Sequence, residues 1–328
     1  MSDSIRNPLD GHRKGLISGL KRRLKHLRPW ANRHKIECYR VFDCESGDLP
    51  LQIDLYGPYL HVCEVEHPEE GSTVYGDTWL PAMAETAAAT LGIRSDRTFT
   101  KFRPKRMPGE QHEKRSGPSF STWVSEANLL FKVNLKDYID TGLFLDHRIT
   151  RGMVADMAAG ARVLNLFCYT GAFSVYAAAG GAVSTTNVDL SNTYLDWAKE
   201  NFEHNGLLAT GFHEFCNECV FDFVDREVRT SDKQWDIIVL DPPTFSNSRR
   251  MNRTMDIRRD HPELIQSCLR LLSRDGVLVF STNARRFFLN PKMHKNGMAG
   301  KRRPKDLTNE TTPEDFARTR PHRTWLFS

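Results

Sequence analysis

The chain has 328 residues, 39% hydrophobic and 27% charged, which suits a soluble globular protein with one large domain or a catalytic domain and a smaller companion. No run of 18 apolar residues occurs, and no apolar core with a small-residue cleavage site opens the sequence, so neither a membrane span nor a secretory signal is predicted. Seven scattered cysteines make no disulfide framework, and a reducing, cytoplasmic setting is expected.

The net charge of +5 is modest, but its distribution is uneven. Residues 1–35 hold ten Lys/Arg against two acids, and within them Leu16, Ile17, Leu20, Leu24, Leu27 and Trp30 recur at three- and four-residue steps. That spacing predicts an amphipathic helix with one apolar stripe and basic remaining faces. An organellar transit peptide has a similar character, but this stretch carries few serines and runs straight into a strand pattern. Residues 36–66 read as three short strands with turn residues between them, residues 78–91 as an Ala-rich helix, and residues 103–121 as a loop of Pro, Gly, Ser and charge. Residues 1–125 are therefore expected to form a small α+β domain.

Two further basic blocks follow: eight Lys/Arg against three acids in residues 94–115, and eight with no acid in residues 285–305. Three separated basic blocks on an otherwise balanced chain suggest a polyanion, with RNA the expected partner. Arg22, Arg23, Lys25, Arg103, Lys105, Arg249, Arg250, Arg285 and Arg286 are the candidate contacts.

From residue 160 the pattern changes. Apolar runs at Val163–Phe167, Val183–Val188, Gly211–Phe215, Ile237–Leu240 and Val277–Ser281 alternate with helical stretches, predicting an α/β fold with a parallel sheet covered on both faces. Ligands of such folds bind at the C-terminal ends of the strands. The first strand ends in Asn165-Leu-Phe-Cys-Tyr-Thr-Gly171 before a small-residue helix at Ala172–Ala179, a turn of the kind that seats a nucleotide cofactor. Only Gly171 falls in the turn, so the dinucleotide signature is absent. A cofactor without a pyrophosphate, such as S-adenosylmethionine, fits better. Asp189 ends the second strand, where a carboxylate can accept hydrogen bonds from ribose hydroxyls. After the third strand, Cys216-Asn-Glu-Cys219 lacks a second Cys/His pair with zinc spacing, so no metal is expected. Glu218 stands where a side chain could accept an adenine amino group.

The fourth strand delivers Asp241-Pro-Pro-Thr-Phe245. An acid at the strand tip, two prolines that fix the backbone and an aromatic suited to stack on a base form a plausible catalytic loop. Asp241, Pro242, Pro243, Thr244 and Phe245 are the candidate catalytic residues. This loop, with Ser246-Asn-Ser-Arg-Arg-Met251 and Arg258-Arg-Asp-His261, resembles the 23S rRNA guanine-N7 methyltransferase (RlmK) half of the bifunctional RlmK/L enzymes. The segment Asp140-Thr-Gly-Leu-Phe-Leu-Asp-His-Arg148 is similar to that family and to the related RlmI-type cytosine-C5 enzymes. Asn165–Gly171, Asp189-Leu-Ser and the tail Pro313–Arg318 with Trp325-Leu-Phe carry the same resemblance, as do Leu20–Trp30 and Glu37–Arg40.

The resemblance implies a class I methyltransferase domain over residues 126–328, with a Rossmann-like seven-stranded sheet whose last strand is antiparallel. It implies S-adenosylmethionine as cofactor, with Asp146 and Arg148 near its methionine end and Asn165, Phe167, Tyr169, Thr170 and Gly171 forming its turn. Asp189 and Leu190 would lie at the ribose, and Asn217 and Glu218 at the adenine. The family usually has Asp where Glu218 stands, and the RNA-binding THUMP domain and guanine-N2 half of the bifunctional enzyme have no counterpart in these residues. The implied partner is 23S rRNA or a large-subunit precursor. Carbon-5 methylation of cytosine needs a thiolate, which the C5 relatives carry after the fifth strand. Here that strand runs Val277-Leu-Val-Phe-Ser-Thr-Asn283 without cysteine, Cys168 lies in the cofactor turn, and Cys268 lies in a predicted core helix. Exocyclic-amine chemistry usually shows Asn-Pro-Pro and an aromatic, against Asp-Pro-Pro-Thr here. Guanine N7 is the expected target, with guanine-N2 or cytosine-C5 methylation, or a non-catalytic RNA-binding assembly factor, as alternatives.

Overall fold

The basic N-terminal stretch forms a 27-residue helix, α1 (Pro8–His34). Its predicted stripe is the packing face: Leu16, Leu20 and Leu27 are fully buried. In a computed structural model, residues 8–44, 49–65, 75–103, 119–138, 140–230, 234–248, 250–251, 253–294 and 302–328 are described. Strands β1 (Cys38–Asp43), β2 (Leu51–Tyr56) and β3 (Tyr59–Val65) form an antiparallel meander, and helix α2 (Trp79–Leu91) leads to β4 (Thr98–Arg103), which pairs parallel to β3. Helix α1 comes so close to this sheet that a Cβ on Gly19 would lie 2.7 Å from Phe42. Substitution there would force the ring to move. Most of the predicted 103–121 loop lies outside the described residues.

Strands β5 (Ser121–Glu126) and β6 (Leu129–Asn134) come next in the chain. The chain divides into two compact units, one holding residues 1–128 and 133–141, the other residues 129–132 and 142–328. Within the second unit the strip 129–132 is held by side-chain amides. Asn205 accepts from the Leu130 amide (2.8 Å) and donates back to its carbonyl (2.7 Å), Asn201 accepts from the Lys132 amide (2.9 Å), and the Trp197 indole donates to the Lys132 carbonyl (2.9 Å).

The second unit continues through α3 (Arg148–Met157), β7 (Arg162–Leu166), α4 (Ala172–Ala179), β8 (Ser184–Asp189), α5 (Asn192–His204), β9 (Phe212–Asn217), α6 (Val220–Thr230) and β10 (Trp235–Leu240). A two-residue strand pair, β11 (Phe245–Ser246) and β12 (Met255–Asp256), precedes α7 (Ile257–Leu271) and β13 (Leu272–Thr282). The chain ends with β14 (Pro304–Asp306), α8 (Thr308–Thr311) and β15 (Arg323–Phe327). The seven-stranded sheet has the order β14-β15-β13-β10-β7-β8-β9. β13, β10, β7, β8 and β9 run parallel, and β15 is antiparallel to β13. This is the expected architecture, its last strand antiparallel. β7, β10 and the second half of β13 are apolar and buried, as strands covered on both faces require, whereas β8 is largely polar and the edge strand β9 is only partly buried. Strand order reverses between β7 and β10, so the crevice at their C-terminal ends is the predicted ligand position. Among the described residues no helix is long and apolar enough to cross a membrane.

Candidate cofactor and base site

The turn after β7 is strained and firmly held. Phe167 (φ +57°) and Tyr169 (φ +51°) are non-glycine residues in the left-handed region, beside Gly171 (φ +72°). Such residues cost roughly 1–3 kcal/mol each and persist where the surroundings over-determine them. Here the Cys168 amide donates to the Val188 carbonyl (3.0 Å), the Thr170 hydroxyl to the Gly142 carbonyl (2.6 Å), and Asn201 Nδ2 to the Thr170 carbonyl (2.9 Å). A Cβ on Gly171 would lie 2.8 Å from that of Ala198 on α5, so glycine answers both the φ and the packing. Asn165 is buried, and its amide donates to Ser174 Oγ (2.9 Å). It braces β7 against α4 from behind the turn.

Asp189 closes this turn from the end of β8. Its carboxylate accepts from the backbone amides of Tyr169 (3.0 Å) and Ser191 (2.9 Å). Burial pushes the carboxyl up to about 6, against the lowering effect of those amides. A carboxylate held in this state gains from further hydrogen-bond donors. Next to it, Asn217 donates to the carbonyls of Asp189 (3.2 Å) and Leu190 (2.8 Å). Arg250 folds back on the same place, donating to the Leu190 carbonyl and to Asn217 Oδ1 (2.6 Å). Glu218 is ion-paired with Arg226 on α6 (2.8 Å).

The base loop is fixed at both ends. Asp241 accepts a hydrogen bond from Ser281 Oγ at the end of β13, and its other oxygen lies 3.6 Å from His147 Nε2. The His147 ring stacks on His322 (centroids 4.2 Å apart, planes 22°), and His322 Nδ1 lies 3.0 Å from Asp146 Oδ2. Two carboxylates from the predicted cofactor and base sites are thus linked through a histidine pair. Asp146, His147 and His322 bring ligand-type atoms within 4.8 Å of one another, but each ring is turned to a different carboxylate. Burial holds His147 below the usual imidazole range, against the raising effect of Asp241. Pro242 is buried, Pro243 partly so, and Thr244 Oγ1 donates to Asn283 Oδ1 (2.8 Å). Phe245 pairs with Asp256 across β11–β12 and keeps its ring partly exposed.

Arg148, expected near the cofactor, is buried against Asp315, with guanidinium nitrogens 3.0 and 3.3 Å from its oxygens. Among the candidate RNA contacts, Arg22, Lys25, Arg285 and Arg286 are exposed, whereas Arg23 is 6% exposed and faces the core of its unit. The side chain of Arg103, and Lys105 and Arg249 entirely, lie outside the described residues. Sequence reasoning missed the roles of His147, Ser281, Asn283, Asp315 and His322. His147 and Asp315 stood inside quoted motifs, Asp140–Arg148 and Pro313–Arg318, and Ser281 and Asn283 in the quoted strand Val277–Asn283, whereas His322 carried no signal.

The sequence profile of a family described as S-adenosylmethionine-dependent methyltransferase matches residues 79–285. The chain is 41% identical to the ribosomal RNA large subunit methyltransferase K of Neisseria meningitidis serogroup B, over 93% of this chain and 84% of that protein. It is 40% identical to the K/L methyltransferase of Photobacterium profundum over 94% of its length, but spans only 42% of that longer protein. In three dimensions it is similar to SMU.776 solved in complex with SAH (TM-score 0.74, 25% identity, 96% of this chain and 82% of that one). It also shares the fold of the SAM-dependent methyltransferase from Agrobacterium tumefaciens (TM-score 0.60, 21% identity, 85% and 87%).

Proposed function

This chain belongs to the S-adenosylmethionine-dependent methyltransferase family, and from that premise we propose that it methylates N7 of a guanine in large-subunit ribosomal RNA, 23S rRNA in particular. The observation that carries the reading is Asp241, fixed between Ser281 and His147 at the switch point of the sheet. Guanine N7 presents a lone pair and no proton at neutral pH, so its methylation needs alignment and a negative charge near the developing cation rather than a base. The bound cofactor supplies an electrophilic methyl group on a sulfonium. The strained turn Phe167–Gly171 and Asp189 fit that cofactor, since Asp189 is a desolvated carboxylate whose ionised form is stabilised by hydroxyl donors. The site residues we assign to it are this turn, Asp189, Leu190 and Asn217. Asn165 and Arg148 support it through Ser174 and Asp315.

The cysteines support the same chemistry. Burial pushes the thiols of Cys168 and Cys268 upward, which disfavours the thiolate a C5 mechanism needs. At the end of β13, Asn283 is engaged with Thr244. The test is transfer to large-subunit rRNA followed by nucleoside mass spectrometry, with borohydride and aniline cleavage to map the site. 7-Methylguanosine is the expected product. 5-Methylcytidine or N2-methylguanosine would reassign the protein to another branch.

Asp189 also predicts a pH dependence. Its carboxyl titrates near 6 in the folded protein, above the usual carboxylate value. This raised value favours the protonated form, so its contribution to stability is lost as pH rises through about 6. Hydroxyl donors favour the ionised form, so cofactor affinity runs the other way. Binding of S-adenosylhomocysteine should strengthen up to about tenfold per pH unit below 6 and level off above it. Calorimetry from pH 5 to 8 checks this, and Asp189→Asn should flatten the profile.

A further inference from the structure

Resting on the reading that the substrate is RNA, we propose that Phe288 is a fixed stacking platform for an unpaired nucleobase flanking the target. Phe288 is 78% exposed, the most exposed large apolar side chain among the described residues. Yet the backbone carrying it is held from four directions. Its neighbour Phe287 is 2% exposed and packs edge-on against His261 (4.7 Å) and tilted against Trp325 (5.5 Å). The Phe287 carbonyl accepts from Arg323 (2.8 Å), and the Arg285 carbonyl accepts from Arg258 (2.9 Å). Two residues further on, the Asn290 amide donates to His261 Nε2 (3.0 Å), while His261 Nδ1 lies 2.9 Å from the Ile257 carbonyl. That pattern sets one tautomer, with the proton on Nδ1 and Nε2 accepting. Burial keeps the ring below the usual imidazole range, in its neutral form.

An exposed aromatic on an ordered backbone gives up little entropy when a flat partner lands on it. The surroundings select that partner. Arg285, Arg286 and Lys292, all within four residues of Phe288 in sequence, are exposed, and no acidic residue occurs between Asp275 and Asp306. Arg286 is held in the left-handed region (φ +54°), so its direction is imposed by the loop rather than by its own preference. An aromatic face with cationic side chains around it suits a base on a phosphate backbone. The loop is joined to the base loop through Asn283–Thr244 and, through Arg258 just after β12, to the strand pair that carries Phe245. This continuity ties the Phe288 loop to the loop that would hold the methylated base, which is why we assign the platform to a flanking base.

Substitution at so exposed a side chain leaves folding intact. With large-subunit rRNA as substrate, Phe288→Ala should raise KM for RNA about tenfold, with kcat and S-adenosylhomocysteine affinity unchanged. Phe288→Tyr should restore KM, and Phe288→Leu should not. Binding is read separately from activity: in Phe288→Trp, an unpaired oligoribonucleotide should quench the added fluorescence and a duplex of the same sequence should not. A wild-type KM in Phe288→Ala, rescue by leucine, or equal quenching by duplex would overturn the platform. Failure of the wild-type protein to methylate rRNA, with quenching intact, would instead overturn the substrate reading and leave the platform standing.

Discussion

Asp241→Ala is expected to lower the single-turnover rate of methyl transfer by about 10²-fold or more, since it removes preorganised charge beside the methylated nitrogen. Ser281 donates a hydrogen bond to one carboxylate oxygen and His147 Nε2 lies 3.6 Å from the other, so the group is oriented before any substrate arrives. Asp241→Asn retains the shape and the Ser281 contact but loses the charge. If charge compensation is the larger effect, the asparagine variant should fall most of the way to the alanine variant. If alignment dominates, it should stay near wild type. Both should bind S-adenosylhomocysteine as the wild type does, because Asp189 and the turn are untouched. Rates of Asp241→Ala within about threefold of wild type would remove this residue from the reaction.

The second large effect concerns stability. Arg148 on α3 and Asp315, just before the final strand, form a buried two-contact pair. Removing one partner strands the other charge away from water, and Asp315→Ala should cost about 3–5 kcal/mol. The pair itself adds much less, because both ions were desolvated to make it. A double replacement by apolar residues, Arg148→Met with Asp315→Leu, should therefore recover most of that loss. Urea unfolding of the two variants makes the comparison. A loss below about 1 kcal/mol in Asp315→Ala would mean that water reaches the guanidinium.

The sheet was legible at β7, β10 and β13, whose apolar runs are buried, and at β8 and β9 mainly through the alternation of strands with helices. The turn we assign to the cofactor was legible as a turn because a glycine and a short helix follow directly. The partners of those residues were not. His322 and His147 are 175 positions apart, and nothing local marks a histidine that will stack on another. Asp315 and Arg148 are 167 positions apart, and neither sequence neighbourhood marks the other as its partner. The strands β11 and β12, two residues each, are too short for an alternating pattern to repeat. Arg23 is different, since the signal was present: Leu16, Leu20, Arg23 and Leu27 follow one another at steps of four, three and four. Position 23 therefore lies on the buried stripe, and charge alone was a poor guide to exposure. Glu218 and Arg226 are eight residues apart across the start of α6, and their pairing depends on how that helix leaves β9.

The chain passes from one unit to the other three times, at residues 128/129, 132/133 and 141/142. No single cleavage can therefore yield both units whole. A fragment begun at Gly142 contains every residue we assign to the cofactor and the base yet lacks the strip 129–132. The buried amide of Asn201, which also supports Thr170 in the cofactor turn, would lose the Lys132 partner that orients it. Severing the chain near Leu129 keeps that strip but carries residues 133–141 away from the rest of their own unit. The catalytic unit is stitched to its neighbour by its own sequence, and exchanging either one between proteins means transplanting the whole stretch from Leu129 to Thr141.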